Sequence, residues 1–351
     1  MHLSTPEVDS KHRLKALDGW RAISILLILV THMVPLSPRS WDIPINKCTG
    51  NIGMSLFFIL SGFLITSNLY LRGDTVTFFI RRLFRILPLA WLYLLIVLPF
   101  LTSDLATWVA HLSFSVNYFP SLFFDPVTLH FWSLCVELHF YLFIGLMFAL
   151  FGKRSLYALP LLWATASIRT ILFLPTVSDE WMTTHIRIDE ILAGCTLALI
   201  HLDPHAQRIR QIIARIPLLL LVPLVCVASW TRFWDFYWLR GIAAMLLIGH
   251  TLYLDRPWIS KALESAFLFV IAELSYALYV LHPITMIGWL GSGDTLVRYL
   301  KRPLCIALTF ALAYLSTHYF EARFIALGKT LAGRFVKKER PSGTDGQQLQ
   351  L

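Results

Sequence analysis

The sequence predicts an all-α, polytopic membrane protein, a bundle of about ten transmembrane helices with both termini in the cytoplasm. The first observation is composition: 57% of the 351 residues are hydrophobic, only 15% are charged, and the mean hydropathy is +0.65. An ordinary soluble domain of this length is far less apolar. The second observation is that no alternating strand pattern appears, so the backbone in lipid must be satisfied by helices.

Ten apolar segments have about the length needed to cross a hydrocarbon core. A further stretch, 107–118, is apolar but short, and we expect it to be a surface or re-entrant piece. The ten expected spans are 16–35, 50–71, 86–103, 131–151, 156–175, 187–202, 215–231, 236–254, 267–290 and 301–322.

Basic residues set the expected orientation, because cytoplasmic loops carry the excess of Lys and Arg. With the N-terminus inside, the inner segments hold most of them, and the long outer connection 102–130 holds none. The net charge of +9 is then mostly a topology signal and gives no reason to expect nucleic-acid binding. We therefore expect both termini to be cytoplasmic.

The chain divides into one membrane domain and two short ends. We expect residues 1–15 to form a cytoplasmic segment, residues 16–328 the membrane domain, and residues 329–351 a cytoplasmic tail. The end of that tail is charged and then rich in Gly, Ser and Gln, a composition typical of disorder. The five cysteines show no disulfide framework and no zinc spacing, so no metal site is expected.

The first apolar segment contains three ionisable residues, Asp18, Arg21 and His32. Such residues are costly inside a membrane span, so they form a functional-site hypothesis by default. Asp18 and Arg21 are three residues apart on a helix and can pair. Arg21 and His32 are eleven residues apart, which places them on nearly the same helix face, about 16 Å apart along the axis. His32 is the natural proton acceptor for a hydroxyl nucleophile near neutral pH. The alternative is that Asp18 and Arg21 only anchor the helix and His32 makes a structural hydrogen bond.

A basic cluster precedes the third span. Arg81 and Arg85 are four residues apart, share a helix face, and have planar heads that can clamp a phosphate. A positive-inside anchor or a lipid contact is the alternative interpretation.

A carboxylate opens the fourth span, where Glu137 stands one turn after Ser133 in apolar surroundings. It must be paired, protonated or solvated by a cavity. It can orient an imidazole or hold an acceptor hydroxyl. A structural salt bridge to Arg187 is the competing interpretation.

Taken in chain order, these motifs resemble the integral-membrane acyltransferase-3 family, which contains bacterial O-antigen, Nod-factor and macrolide O-acyltransferases. The resemblance covers Leu17 to about Phe324, and Leu138 and His139 depart from it. Each motif alone is weak, but the ordered set is specific. The motifs are Asp18-Gly19-x-Arg21 with His32, Phe57-Phe58-x-Leu60-Ser61-Gly62-Phe63-Leu64-Ile65, Arg81-x-x-x-Arg85 with Pro88, Trp132-Ser133-Leu134-x-x-Glu137-x-x-Phe140-Tyr141, Arg187-x-Asp189, Leu274-Ser275-Tyr276 through His282, and Glu321-x-x-Phe324.

The resemblance implies a multi-pass enzyme of the bacterial inner membrane. It would transfer an acetyl or other short acyl group from cytoplasmic acyl-CoA to a hydroxyl of a cell-surface or lipid-linked glycan, such as lipopolysaccharide or exopolysaccharide. Acyl-CoA would be a co-substrate, with no permanently bound cofactor, and the other partners would be a glycan or glycolipid acceptor and membrane lipid. The implied site comprises His32, Glu137 and Asp18 in catalysis, Arg21, Arg81 and Arg85 toward acyl-CoA, and Trp132, Ser133, Arg187, Asp189 and His282 toward the substrate.

The expected mechanism is general-base catalysis, in which His32 takes the hydroxyl proton as oxygen attacks the thioester and Glu137 fixes or balances the imidazolium. A covalent acyl-histidine is the rival mechanism.

Two alternatives remain for the function as a whole. One is a carrier or flippase for a glycan or acyl donor, with the buried charges forming its path. The other is an O-acyltransferase that acts on a hydrophobic small molecule such as a macrolide.

Overall fold

The computed structural model describes residues 6–34, 45–124, 126–173, 182–230, 236–254 and 256–339. These residues form helices and short turns and contain no strand, which confirms the predicted all-α class. The α-helices are α1 (Pro6–Met33), α2 (Ile45–Arg72), α3 (Thr75–Val97), α4 (Leu105–Leu112), α5 (Phe131–Phe151), α6 (Leu159–Phe173), α7 (Thr184–Leu202), α8 (Gln207–Arg215), α9 (Leu218–Ser229), α10 (Leu239–Tyr253), α11 (Pro257–Leu263), α12 (Ala266–Leu281), α13 (Gly288–Gly291), α14 (Thr295–Leu315) and α15 (Ala322–Glu339).

Each of the ten predicted segments overlaps an α-helix, but ten membrane spans are not confirmed. Within the described residues, six helices are long and apolar enough to cross a membrane. A seventh exists if Pro204–Arg215 and Leu218–Ser229, which meet at 84°, form one bent span. The orientation of the termini stays a prediction.

The count differs for three physical reasons. Helix α7 carries Arg187, Asp189 and Glu190 and is buried among other helices. It therefore does not need to be as apolar as a helix that faces lipid. Helix α10 has only 15 residues, whereas a perpendicular span needs about 20. The predicted segments 131–151 and 156–175 merge into one apolar stretch, Phe131–Leu172.

Helix α2 is the centre of the bundle and packs most extensively against α7 and α1. One apolar core lies between α1, α2, α3, α5 and α12. A second core lies on the other side of α2, between α7, α9 and α10. Helices α14 and α15 join through a π-helical turn, Ser316–Glu321, and α15 packs along α3. The first core encloses the candidate site.

Glycines allow α2 and α7 to approach closely. A Cβ at Gly62 would lie 2.0 Å from the carbonyl oxygen of Ile191, and one at Gly194 would lie 2.0 Å from that of Ile59. Both obstacles are backbone atoms, so a side chain at either position would push the two helices apart.

We expect Gly194→Ala to destabilise the protein by about 1–3 kcal/mol, because overpacking forces a backbone shift. The matched control is Gly333→Ala, since no atom lies within 4 Å of a Cβ at Gly333. Thermal unfolding of the two variants in detergent would check this. Equal unfolding temperatures would contradict the close approach of α2 and α7.

The segment 107–118, expected to be a surface or re-entrant piece, contains the eight-residue helix α4 and a 3-10 turn, Val116–Tyr118. Eight helical residues extend about 12 Å, too short for a span. Asp104 caps this helix, accepting hydrogen bonds from the hydroxyl and backbone N–H of Thr107 at 2.6 and 2.8 Å. These bonds lower the pKa of Asp104.

Candidate active site

A narrow cavity of about 70 Å³ lies between α1, α2, α3, α5 and α12. Its walls are apolar along most of their length and polar at specific points, as in most ligand sites. The lining residues are Arg21, Ser24, Ile25, Ile28, Phe57, Leu60, Ser61, Leu64, Arg82, Arg85, Ile86, Leu134, Glu137, Tyr141, Ser275, Tyr276 and Tyr279.

Three arginines meet at one end of this cavity. Arg21 comes from α1, and Arg82 and Arg85 come from α3. Arg21 also binds Asp18 at 3.1 Å, as its spacing predicts, and Arg82 lies over the ring of Tyr141 at 5.5 Å. The carboxylates of Glu137 and Glu321 also lie near enough to act on Arg21 and Arg85, respectively. Three guanidinium groups at one end of a cavity can hold an anionic group such as a phosphate.

Arg81, predicted to act with Arg85, does not line the cavity and is exposed. Helix α15 packs against α3 at Ile80 and Phe84, next to Gly328. This docking rotates the face containing Arg82 and Arg85, three residues apart, toward the cavity. The arginines of α3 that line the cavity are therefore Arg82 and Arg85, not the predicted pair of Arg81 and Arg85.

Glu137 is buried in the cavity wall and is held by two hydroxyl groups. Ser61 donates to its carboxylate at 2.5 Å, and Tyr141, one turn along α5, also donates to it. The Glu137 carboxylate also lies close enough to Arg21 for their opposite charges to attract. The competing interpretation, a salt bridge from Glu137 to Arg187, is wrong, because Arg187 pairs with Glu190 at 3.0 Å.

Three histidines form a cluster at the other end of α1. The His32 ring lies 5.2 Å from that of His282, and the His282 ring lies 5.4 Å from that of His130. His32 is exposed, whereas His282 and His130 are buried. In the part of the chain that the structure describes, no set of three side chains has the geometry of a metal site.

Backbone carbonyls fix the tautomers of the two buried histidines. His282 Nδ1 lies 2.7 Å from the carbonyl oxygen of Tyr279, and His130 Nε2 lies 3.2 Å from that of Val280. A carbonyl can only accept, so each of these nitrogens carries the proton. In the neutral ring the lone pair then belongs to His282 Nε2 and to His130 Nδ1, so each ring offers an acceptor near His32.

Tyr279 connects the cavity to the histidine cluster. It lines the cavity, and its hydroxyl contacts Ser133 Oγ at 2.5 Å and donates to the carbonyl oxygen of His130 at 2.7 Å. Its ring also lies 5.9 Å from that of His282. Ser133 and His282, both predicted site residues, are thereby brought into one network.

One face of α1 runs from the arginine end to the histidine cluster. Arg21, Ile25 and Ile28 line the cavity, and His32 follows one turn later, about 16 Å beyond Arg21. Glu137 lies seven residues, about 10 Å, along α5 from His130. Glu137 therefore lies on the arginine side of the cavity, and not beside His32 as predicted. The ring beside His32 is that of His282.

Trp132 and Arg187 lie side by side, with the guanidinium 5.1 Å from the indole ring. The Glu190 carboxylate forms ion pairs with Arg187 at 3.0 Å and with Arg240 at 2.7 Å, and all three side chains are buried. Asp189 is also buried. This ionic cluster joins α7 to α10 and shares no residue with the cavity.

A family profile for an acyltransferase domain matches residues 14–318 of the chain. The chain belongs to the acyltransferase-3 family. No solved structure matches it significantly.

Relatives of this chain include a Staphylococcus aureus (strain COL) protein named provisionally as an O-acetyltransferase, 27% identical over 88% of this chain and 56% of the relative. The peptidoglycan O-acetyltransferase OatA of Listeria monocytogenes is 25% identical over 95% of this chain and 60% of the relative. The O-acetyltransferase OatA of Staphylococcus aureus (strain NCTC 8325) is 24% identical over 78% and 50%. The chain thus spans little more than half the length of these relatives.

Sequence reasoning missed several residues of the candidate site. Tyr279 lies within the Leu274–His282 motif but has no predicted role, His130 lies two residues before the Trp132 motif, and Arg82 is the neighbour of the predicted Arg81. One signal was available: Tyr276, Tyr279 and His282 recur at three-residue intervals, which places them on adjoining parts of one helix face.

Proposed function

We propose that this acyltransferase moves an acetyl or other short acyl group from cytoplasmic acyl-CoA to a hydroxyl of a glycan, with His32 as general base. The observation that supports this most is the cavity along α1, which has three arginines at one end and, in its wall, Tyr279, whose ring lies beside two histidines of the cluster. A CoA thioester has phosphates at one end and a reactive carbonyl at the other. The separation of about 16 Å suits its extended arm.

In the proposed step, a His32 ring nitrogen takes the proton from the acceptor hydroxyl as its oxygen attacks the thioester carbonyl carbon. The C–S bond then breaks, the ester forms, and the proton passes from His32 to the leaving CoA thiolate. His282 and His130, whose protons are fixed by carbonyl oxygens, orient His32 and provide neutral acceptors beside it.

The acceptor is proposed as a glycan because the named relatives are O-acetyltransferases, one of them acting on peptidoglycan. Peptidoglycan fragments are therefore the first acceptors to assay, with lipopolysaccharide and exopolysaccharide fragments next. The test is to reconstitute the purified protein in vesicles with acetyl-CoA labelled in the acetyl group. We expect labelled ester on the acceptor. Label that crosses the membrane unchanged, with no ester formed, would instead indicate a carrier.

We expect Arg82→Ala and Arg85→Ala each to raise the KM for acetyl-CoA by roughly tenfold to a hundredfold, since each removes a charge-assisted contact to phosphate. The physical reason is that both line the cavity. Initial-rate kinetics with varied acetyl-CoA would measure this, with kcat changing less than KM.

Arg154→Ala is the matched control, because Arg154 is exposed on the turn between α5 and α6 and lies outside the cavity. Arg81→Ala separates the two arginine pairs. An increase in KM at Arg81 equal to that at Arg82 would contradict the placement of Arg82 at the phosphates.

A further inference from the structure

Arg169 is a charged residue on a helix that otherwise faces apolar surroundings. Its neighbours on α6, Ile168 and Leu172, are 55% and 66% exposed, as expected of side chains that face lipid. Among the described residues, no carboxylate forms an ion pair with Arg169 and no hydrogen bond satisfies it. A guanidinium in this position requires an anion or a route to water.

The Arg169 side chain lines an open groove between α5, α6 and α7. The groove has a volume of about 320 Å³ and shares no lining residue with the cavity along α1. Its lining residues are Phe143, Leu162, Thr165, Ala166, Arg169, His185, Ile188 and Leu192.

The groove is polar at one end and apolar at the other. Arg169 lies one turn before the end of α6, and His185 lies at the start of α7, so both belong to the end where these helices are connected. Leu162 and Leu192 each lie seven residues deeper along their helices, about 10 Å away. Thr165 lies between Leu162 and Arg169 on α6. Its hydroxyl donates to the carbonyl oxygen of Leu162, so it adds no free polar group to the groove.

We propose that this groove binds an anionic membrane lipid, with the lipid phosphate at Arg169 and His185 and the first part of a chain along Leu162 and Leu192. Charge complementarity favours this occupant, because the unpaired guanidinium meets a phosphate and the apolar depth meets hydrocarbon. Leu142 and Leu146 on α5 are 51% and 60% exposed beside it, so the groove opens on a bilayer-facing surface. A phosphate in free solution would leave the apolar part of the groove unfilled.

The test uses the full chain, purified in detergent, and native mass spectrometry with added phosphatidylglycerol. The two comparison probes are a diacylglycerol with the same chains and inorganic phosphate. We expect one phosphatidylglycerol to bind selectively and to raise the unfolding temperature, with neither comparison probe matching it. Arg169→Leu should weaken binding about tenfold, the effect of losing a charge-assisted contact.

Arg169→Lys should retain most of the binding, since it keeps the charge. Ala166→Trp fills the groove without changing charge and should also abolish binding, so the result does not depend on a single variant. The matched control is Arg154→Leu, which removes an exposed arginine beyond the other end of α6. Unchanged binding in Arg169→Leu or in Ala166→Trp, or equal binding of the diacylglycerol, would overturn the proposal. Equal stabilisation by inorganic phosphate would overturn it too.

Discussion

Replacing His32 with alanine is expected to lower kcat for acyl transfer by roughly 10²–10⁴-fold, the usual contribution of a positioned general base. His32 is the exposed member of a cluster whose other two rings are buried and held by carbonyl oxygens. It is also the member on the same helix face as the arginine end of the cavity. The measurement is single-turnover and steady-state transfer from labelled acetyl-CoA in vesicles.

The matched control is His318→Ala, because His318 is an exposed histidine on the π-helical turn, distant in sequence from the cluster. Acetyl-CoA binding should be unaffected in His32→Ala, since the phosphates are proposed to lie about 16 Å away. Normal transfer by His32→Ala would disprove the role as base. Incubation with donor alone separates the mechanisms, because a labelled protein adduct that requires His32 would establish an acyl-histidine in place of direct transfer.

The helices could be predicted from the sequence because apolar runs are local signals. Each of the ten predicted segments overlaps a helix, and only the number of spans differs. Helix α7 shows the cause: Arg187 and Glu190 near one end are tolerated because they pair with each other, and Glu190 with Arg240, inside the bundle. Whether a helix meets lipid or protein depends on its neighbours, which hydropathy does not report.

The candidate site was predictable where a single helix determines it. Arg21 and His32 share a face of α1 by spacing alone, and Asp18 pairs with Arg21 as expected. Choosing between Arg81 and Arg82 required knowing that α15 packs against the opposite face of α3. The neighbours of His32 come from α12 and from the residue before α5, so their meeting is a tertiary fact that spacing cannot supply.

The partner of Arg187 illustrates the same limit. The alternative interpretation of Glu137 in the sequence paired it with Arg187. The true partner, Glu190, is three residues away on the same helix and also receives Arg240 from α10. Position Glu190 was not part of any motif, although its spacing from Arg187 allows a local pair.

Replacing Glu190 with glutamine is expected to destabilise the protein by about 3–5 kcal/mol, the usual cost of removing one partner from a buried ion pair. Its carboxylate accepts from Arg240 at 2.7 Å, from Arg187 at 3.0 Å and from Ser55 at 2.5 Å, and it is 1% exposed. Glutamine has nearly the same shape but no charge, so two guanidinium groups would stay buried without their shared counter-charge. Thermal unfolding in detergent, or resistance to a denaturing detergent, measures the loss.

Glu273→Gln is the matched control, since Glu273 is exposed and its carboxylate lies 3.9 Å from His318 Nε2, which is a long, weak ion pair. Such exposed pairs contribute little, so a small change is expected there. The double variant Glu190→Gln with Arg240→Gln should lose less stability than the two single variants added together, because it removes a charge from each side of the same contact. If the two losses simply add, Glu190 and Arg240 do not interact as the structure has them. Because the cluster is separate from the cavity, folded Glu190→Gln protein should keep its KM for acetyl-CoA, which separates a structural role from a binding one.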